Sequence, residues 1–301
     1  MTTTETSLEF GRRPGLSEWG RLWQSLTHAR LAPAGLVMVL SLVVVGLAAP
    51  ALAPHDPELV SIQNRLQPPA WMPGGTIAHL LGTDNLGRDI LSRLLYGARV
   101  SLFVGLSTVF LGGTVGSLLG ITAGYLGGRF DVLVMRLVDI QLAFPSMLFA
   151  VAIMAVLGPS LGNVILVLSL TTWATYCRVA RGQTLSLREQ EFIEAARSIG
   201  SSHARIIFLH VLPNALSPLI VIASFGVANN IINEASLSFL GVGVPPTIPT
   251  WGGMLGEGRT YLRLAWWTST FPGIALMLTV FGVNVLGDWL RDYLDPRLRT
   301  L

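Results

Sequence analysis

The sequence predicts an all-α polytopic membrane protein with six transmembrane helices. Of its 301 residues, 51% are hydrophobic and only 12% are charged, so the charges are too few to cover the surface of a soluble protein of this size. Apolar stretches of about 20 residues, the length that crosses a bilayer as a helix, recur along the chain. These stretches lack the two-residue alternation of a membrane barrel, and a helix satisfies its own backbone hydrogen bonds in lipid.

The N-terminal segment, residues 1–30, is predicted to be cytoplasmic and to carry an interfacial helix. Four arginines accompany a set of apolar residues with helical spacing. Such an amphipathic helix lies along the membrane surface. A solvated tail with chance periodicity is the alternative. The apolar residues that share one face are Leu16, Trp19, Leu22, Trp23 and Leu26.

Residues 31–99 are predicted to hold the first transmembrane helix, at about 33–52, and an extracytoplasmic lobe. Small residues at 48–53 mimic the cleavage site of a secretory signal, but the charged leader before them is long for a signal. We therefore expect an uncleaved anchor. The lobe is polar and interrupted by Pro and Gly, and it is expected to end in a helix near 89–96.

Residues 100–290 are predicted to form a five-helix core. A polar segment at 178–212 separates the last two spans from the first three, and a second large loop occupies 234–267. Residues 291–301 form a cytoplasmic tail. The five spans are expected at about 100–126, 132–157, 161–176, 215–232 and 270–286.

The distribution of arginine predicts the orientation, because basic residues are retained on the cytoplasmic side. All 20 basic residues are arginine. With both termini in the cytoplasm, 13 of them lie in cytoplasmic segments and six lie outside, with Arg136 inside the third span. The 178–212 segment is then cytoplasmic.

The absence of lysine excludes a phosphate-binding P-loop, and the dispersed net charge of +3 offers no nucleic-acid surface.

Cysteine and histidine usage gives no sign of a metal centre. Cys177 is the single cysteine, so an intrachain disulfide and a cysteine cluster are excluded, and it is expected to pack as a small core residue. The five histidines are scattered, and none has the paired helical spacing of a zinc site. We expect them to be structural or solvated.

The 178–212 segment is predicted to contain two short helices. The sequence at 186–189 has the pattern of a capping box, which would open the first helix, and Gly200 suits its C-terminal end. Ser201 or Ser202 can cap the second helix, and Pro213 marks the return to the membrane. One apolar face of the first helix is expected to hold Phe192, Ala195, Ala196 and Ile199.

These residues carry a resemblance. Glu194-Ala195-Ala196, followed by Gly200 and then Leu212-Pro213, resembles the cytoplasmic "EAA" loop of binding-protein-dependent ABC importer permeases. The resemblance implies that the first helix docks as a coupling helix on an ATPase subunit, whereas the alternative is an ordinary amphipathic connecting helix. The residues it assigns to ATPase coupling are Glu191, Phe192, Glu194, Ala195, Ala196, Ile199, Gly200, Leu212 and Pro213.

The resemblance extends along the chain to the C-type permeases of the dipeptide/oligopeptide (peptide/nickel) family. It is carried by segments 81–89, 96–99, 135–139, 144–145, 235–241, 251–252, 287–292 and 294–297. It implies a type I ABC importer (MetI-like) permease fold and a multi-pass, non-catalytic subunit in a bacterial inner membrane. Implied partners are a second permease in a heterodimer, one or two ABC ATPases that use ATP and Mg, and an extracytoplasmic substrate-binding protein. No cofactor is expected on this chain itself.

Four residues are candidates for the translocation path or its gate. Arg136 and Asp139, three residues apart, can pair on one helix face as a structural ion pair, or they can line the path. Pro145 is expected to kink the third span, either as a hinge or as a static packing feature. Glu234, at the end of the fifth span, is a gate or receptor contact, or simply a solvated interfacial carboxylate.

Alternatives concern cargo and class. The same machinery imports nickel chelates, glutathione or oligosaccharides in related systems, so the cargo stays open. An ion-coupled secondary transporter would show paired broken helices or an inverted repeat, and neither is evident in the sequence.

Three tryptophans at the outer loop are expected in the interfacial belt rather than in a cation-binding cage: Trp251, Trp266 and Trp267.

Overall fold

The computed structural model describes residues 18–294, and its secondary structure there is helical with a single isolated β-bridge. Residue 16 of the predicted interfacial face and the last seven residues of the predicted tail lie outside this range. The helices are α1 (Glu18–His28), α2 (Ala32–Leu52), α3 (Ile90–Leu126), α4 (Gly128–Ala143), α5 (Ser146–Leu157), α6 (Leu161–Leu187), α7 (Glu191–Ser198), α8 (His203–Ile206), α9 (Leu212–Phe239), α10 (Trp251–Gly258) and α11 (Trp267–Leu294).

The apolar helices account for the predicted spans. Within residues 18–294, four helical stretches are long and apolar enough to cross a membrane, namely α2, α3, the run that ends in α9, and α11. The bent pair α4 and α5 is apolar enough to make a fifth if the two helices together form one broken span. Helix α6 is less apolar, but its 27 residues give it a length of about 40 Å, and it packs along α3 inside the bundle. Outward-facing apolar side chains on these helices include Val44, Leu47, Phe110, Leu148 and Val156.

Helix α3 is longer than the sequence predicts. The helix expected near 89–96 is the first part of α3, which runs without interruption from Ile90 to Leu126. Asp89 starts it as the N-cap, because its side chain accepts a hydrogen bond from the backbone N–H of Ser92. Gly127, at φ +67°, ends it. The lobe between α2 and α3, residues 53–89, therefore connects directly to the second span.

A glycine stripe brings α3 against α6 at the centre of the bundle. Its members recur every four residues on α3, so they share one face and let the two backbones approach closely. A Cβ atom added at Gly112 would lie 2.7 Å from the carbonyl oxygen of Ser169, and one at Gly124 would lie 3.0 Å from that of Arg181. The stripe consists of Gly112, Gly116, Gly120 and Gly124.

The third predicted span is broken rather than kinked. Helix α4 ends at Ala143 and α5 begins at Ser146, and the two axes differ by 90°. Phe144 is extended, with φ −91° and ψ 139°. A residue that precedes proline disfavours the helical conformation, because the proline ring clashes with its backbone. The Phe144-Pro145 pair therefore stops the helix completely.

The lobe and α10 form a buried polar cap over one end of the bundle. Arg88 and Arg93 face the carboxylates of Asp84 in the lobe and Glu257 on α10.

The prediction that three tryptophans lie in the interfacial belt is wrong for two of them. Trp251 and Trp267 are buried, and their indole N–H groups donate to the carbonyl oxygens of Leu94 and Thr83, each at 3.1 Å. Trp266 is partly exposed.

Candidate functional site

The segment at 178–212 begins differently from its predicted form. The capping-box prediction is wrong, because residues 186 and 187 lie in the last turn of α6 and Arg188 is its C-cap. Helix α6 continues that far because its last turns pack against α3: Thr184 is fully buried, and Arg188 donates to the carbonyl oxygen of Gly124 at 3.1 Å. Helix α7 then begins at Glu191, after Gln190 as N-cap.

Helix α7 has two apolar faces, an inner one and an outer one. The sequence predicted a single apolar face, and the structure divides its residues between the two. Its inner face holds Ile193, which is fully buried, and Ala196. Both pack in a core cluster with Tyr125 of α3. The outer face carries Phe192, Ala195 and Ile199, of which the last is 82% exposed. Only Ala196 of the predicted face therefore points inward, because a helix of eight residues lying on the bundle buries only a narrow stripe.

Two exposed carboxylates flank the outer apolar face. Glu191 and Glu194 lie in the first turn of α7, where acidic groups favour the helix dipole. Neither joins an ion pair with another residue of the described part of the chain. The outer face of α7 is thus an apolar patch with two free negative charges beside it. We call this patch the α7 surface: Glu191, Phe192, Glu194, Ala195 and Ile199.

The turn between α7 and α8 forms as predicted. Gly200 adopts φ +77°, a left-handed conformation that suits glycine at the end of a helix, and nothing lies within 4 Å of where its Cβ would be. The Ser202 hydroxyl accepts from the backbone N–H of Arg205 at 3.3 Å and so caps α8. A π-helical turn, Ile207–Val211, leads into α9, which starts with Leu212 and Pro213.

Tyr125, at the end of α3, holds the two short helices against the bundle. The guanidinium of Arg197 on α7 lies 5.1 Å from the centre of the Tyr125 ring, a cation–π distance. The Tyr125 hydroxyl is also 3.3 Å from Nδ1 of His203 on α8. Tyr125 therefore links α7 and α8 to the end of α3.

The structure separates the two charged residues of the third span. Asp139 pairs with Arg178 of α6, with Nη2 and Oδ1 2.5 Å apart, and not with Arg136 three residues away. Both members are about half exposed on the surface of the isolated chain.

Pro145 and Glu234 occupy very different environments. Pro145 is exposed at the break between α4 and α5, next to exposed Phe144. Glu234 is fully buried in α9, so the description of it as a solvated carboxylate is wrong. The Ser238 hydroxyl donates to its Oε1 at 2.8 Å, and that hydroxyl accepts from the backbone N–H of Val244 at 3.1 Å. Glu234 thereby anchors the loop after α9.

Sequence reasoning missed three residues that position these groups. Ile193 anchors α7, Tyr125 holds α7 and α8, and Arg178 neutralises Asp139. The spacing of Ile193 and Ala196 was a usable signal, since residues three apart share a helix face. Tyr125 and Arg178 had no local signal, because their partners are distant in sequence.

Comparisons with known proteins identify the family and the type of fold. Residues 116–300 match the family described as "Binding-protein-dependent transport system inner membrane component", and residues 17–69 match the "N-terminal TM domain of oligopeptide transport permease C". Among solved structures, the methionine ABC transporter MetNI in an inward-facing conformation contains a chain with a TM-score of 0.54 at 18% identity, over 67% of this chain and 96% of that one. The type of fold predicted from the sequence is thus confirmed.

Curated relatives cover nearly the whole chain. The "Di/tripeptide transport system permease protein DppC" of Pseudomonas aeruginosa (strain UCBPP-PA14) is 44% identical over 277 residues, which is 92% of this chain and 91% of the relative. The "Dipeptide transport system permease protein DppC" of Haemophilus influenzae is 38% identical over 296 residues, 98% of this chain and 99% of the relative. The chain belongs to the family of inner membrane components of binding-protein-dependent transport systems.

Proposed function

We propose that this chain is the C-type permease subunit of an ABC importer for dipeptides and short oligopeptides. The observation that carries the proposal is the α7 surface, an exposed apolar patch flanked by free carboxylates and held against the bundle by buried Ile193. The cargo assignment is supported by the printed names of the relatives, which are di/tripeptide and dipeptide permeases at 38–44% identity. The ATPase activity then belongs to separate partner subunits, which bind ATP and Mg.

In this proposal the α7 surface docks on an ATPase. Phe192, Ala195 and Ile199 would bury their exposed apolar area in a groove, and Glu191 and Glu194 would accept hydrogen bonds or pair with basic groups at the groove edge. Gly200 ends the helix sharply without a side chain, so the ATPase can approach that end closely. Leu212 and Pro213 pass the motion into α9.

The coupling path is short. Closure of the ATPases would move α7, and Ala196 and Ile193 would carry that motion into the core cluster that includes Tyr125 of α3. The glycine stripe allows α3 and α6 to move as one body, because their backbones are in direct contact. Rigid-body motion of the helices would then switch access from one side of the membrane to the other.

The four path candidates have distinct roles in this proposal. Arg136 and Asp139 would face the second permease or the water-filled path, with Asp139 neutralised by Arg178. Pro145 would set the 90° turn that places α5 at the path. Glu234 would act from behind as an anchor of the outer loop, because it is buried and has no access to cargo.

The arginine distribution supports the proposed orientation, and the family supports the proposed assembly. We place both termini, the segment 1–30, the coupling loop 178–212 and the tail 291–301 in the cytoplasm, and the lobe of the 31–99 region outside. The five-helix core at 100–290 would pair with a second permease as a heterodimer in the lipid bilayer. One or two kinds of ATPase would dock inside, and a substrate-binding protein would dock outside.

Reconstitution tests the proposal. The chain, its partner permease and the ATPases are placed in liposomes, and ATP hydrolysis is measured with binding protein loaded with dipeptide, longer peptide, glutathione or nickel chelate. We expect stimulation by the peptide-loaded protein, lost in a Glu194→Ala/Gly200→Leu double variant that still inserts. Asp292→Ala, which removes an exposed carboxylate near the end of α11, is the matched control and should keep the stimulation. Stimulation by another cargo would refute the peptide assignment, and failure to assemble with any ATPase would refute the importer.

A further inference from the structure

Three side chains of metal-ligand type meet in the lobe, on the side of the molecule away from α7. His55 follows α2, His79 lies in the middle of the lobe, and Asp89 is the N-cap of α3. One possible ligand atom from each lies within 4.8 Å of the others. Within residues 18–294 this is the only group of three or more such side chains that close together. The tertiary structure therefore brings together a group of potential metal ligands that the scattered positions of the histidines in the sequence did not suggest.

The spacing of the ligand atoms matches a small tetrahedral ion. His79 Nδ1 lies 2.9 Å from Asp89 Oδ1, and His55 Nδ1 lies 3.9 Å from the same oxygen. Zinc bonds to nitrogen and oxygen of about 2.0–2.1 Å, at tetrahedral angles, separate ligand atoms by about 3.4 Å. The two observed distances lie on either side of that value. Each of the two distances differs from the value expected for a bound ion by about 0.5 Å.

The carboxylate of Asp89 is held in the orientation that a ligand requires. Its Oδ2 accepts two hydrogen bonds from Ser92, one from the backbone N–H and one from the hydroxyl, each at 2.8 Å. The Ser92 hydroxyl in turn accepts from the backbone N–H of His55 at 3.1 Å. Oδ1 is left facing both imidazoles. Hydrogen bonds of this kind to the outer oxygen are typical of carboxylates that bind metals through the other oxygen.

His55 distinguishes a metal site from a simple His–Asp hydrogen bond. The contact between His79 and Asp89 would be complete without an ion. His55 Nδ1, however, is a buried atom with no hydrogen-bond partner, although it lies only 3.9 Å from the same carboxylate oxygen. Leaving a buried polar atom unpaired costs about 1–3 kcal/mol, and a bound cation removes that cost. About a third of the His55 side chain is exposed, which provides a route of entry.

We propose that His55, His79 and Asp89 bind a divalent transition metal ion, with Zn²⁺ as the best match to two imidazoles and one carboxylate. The fourth position is open to water. The three ligands come from the end of α2, the middle of the lobe and the start of α3, so the ion ties the first two spans together through the lobe. This inference does not depend on the cargo or on the docking of an ATPase.

Metal titration of the full-length chain tests the proposal. The purified chain in detergent is stripped with a chelator and titrated with Zn²⁺ by calorimetry, and bound metal is counted after gel filtration. We expect one Zn²⁺ per chain, and a rise in Tm on its addition. His55→Ala should weaken binding at least about 100-fold, since even residues that only orient metal ligands affect affinity by 10–100-fold.

Two further variants separate metal binding from folding. Asp89→Asn keeps a residue that caps helices well but removes the charge, so it should fold and bind Zn²⁺ weakly. His210→Ala removes a histidine of the π-helical turn before α9 and should bind as the parent does. Co²⁺ bound to the unaltered chain should show the visible absorption of a four-coordinate ion. Absence of stoichiometric Zn²⁺ binding, or affinity unchanged in His55→Ala, would overturn the proposal.

Discussion

The Nη2 atom of Arg88 lies 2.5 Å from Oε2 of Glu257, across a gap of more than half the chain in sequence. Arg88 belongs to the lobe and Glu257 to α10, so this ion pair joins the two large loops. The Nε atom of Arg88 also lies 2.6 Å from Oδ2 of Asp84, and Arg93 completes a network of four charges. The lobe is therefore an integral part of the bundle.

Glu257→Gln tests the importance of this network for stability. The substitution keeps the shape of the side chain but leaves Arg88 and Arg93 with one carboxylate instead of two. Breaking a buried ion pair costs about 3–5 kcal/mol, so we expect a clear fall in the Tm of the detergent-solubilised chain. Asp292→Asn, at an exposed position near the end of α11, is the control and should leave Tm nearly unchanged. Equal Tm values for the two variants would contradict a structural role for the network.

Glycine-to-alanine substitutions at matched positions test the contact between α3 and α6. A Cβ at Gly116 would lie within 3.0 Å of the carbonyl carbon of Trp173, whereas a Cβ at Gly182 meets nothing within 4 Å. Alanine favours a helix over glycine by about 0.5–1 kcal/mol. We therefore expect Gly182→Ala to raise Tm slightly and Gly116→Ala to lower it. A rise in Tm for both variants would show that the helices can separate without cost.

Alanine substitutions of two isoleucines on α7 distinguish effects on stability from effects on coupling to the ATPase. Ile193 is fully buried and Ile199 is 82% exposed. Ile193→Ala should lower the free energy of unfolding by about 2–5 kcal/mol through the cavity it leaves. Ile199→Ala should leave Tm unchanged and reduce the ATPase stimulation of the reconstituted complex. Full ATPase stimulation in Ile199→Ala would contradict the proposal that the outer face of α7 docks on the ATPase.

A double-mutant cycle tests the pair formed by Asp139 and Arg178. Asp139→Arg and Arg178→Asp each place two like charges together, and the double variant, a charge swap, restores opposite charges. We expect each single variant to lower Tm, the swap to recover part of the loss, and the coupling energy to be about 1 kcal/mol. Arg136→Gln removes an arginine outside this pair and should show no coupling to Arg178. A coupling energy near zero would mean that the pair contributes nothing to stability.

Much of the fold was predictable because it depends on local properties. Helix α2 occupies 32–52, close to the predicted 33–52, since hydropathy over about 20 residues decides membrane insertion. The end of α7 at Gly200 and the start of α9 beside Pro213 were also local signals. The predictions failed where packing extended or buried an element, as in the continuation of α6 through residue 187 and the burial of Trp251.

The site was predictable as a segment but not as a surface. The spacing of Glu194 and Gly200 located the loop, and the structure places both on or beside exposed α7. Which side of α7 faces the bundle depends on Tyr125 and the core cluster, and these contacts come from other helices. Residues whose spacing predicts one shared helix face can therefore lie on two different faces of that helix in the structure.

The sequence by itself determined the membrane class, the approximate positions of the apolar helices and the position of the loop between α6 and α9, because each follows from hydropathy or turn chemistry within a short window. Only the tertiary structure decided that Asp139 pairs with Arg178, that Glu234 is buried, and that His55, His79 and Asp89 converge. Each of these depends on partners brought together from distant segments by helix packing. A local pattern carries no information about such partners, since the distance between them is set by the fold.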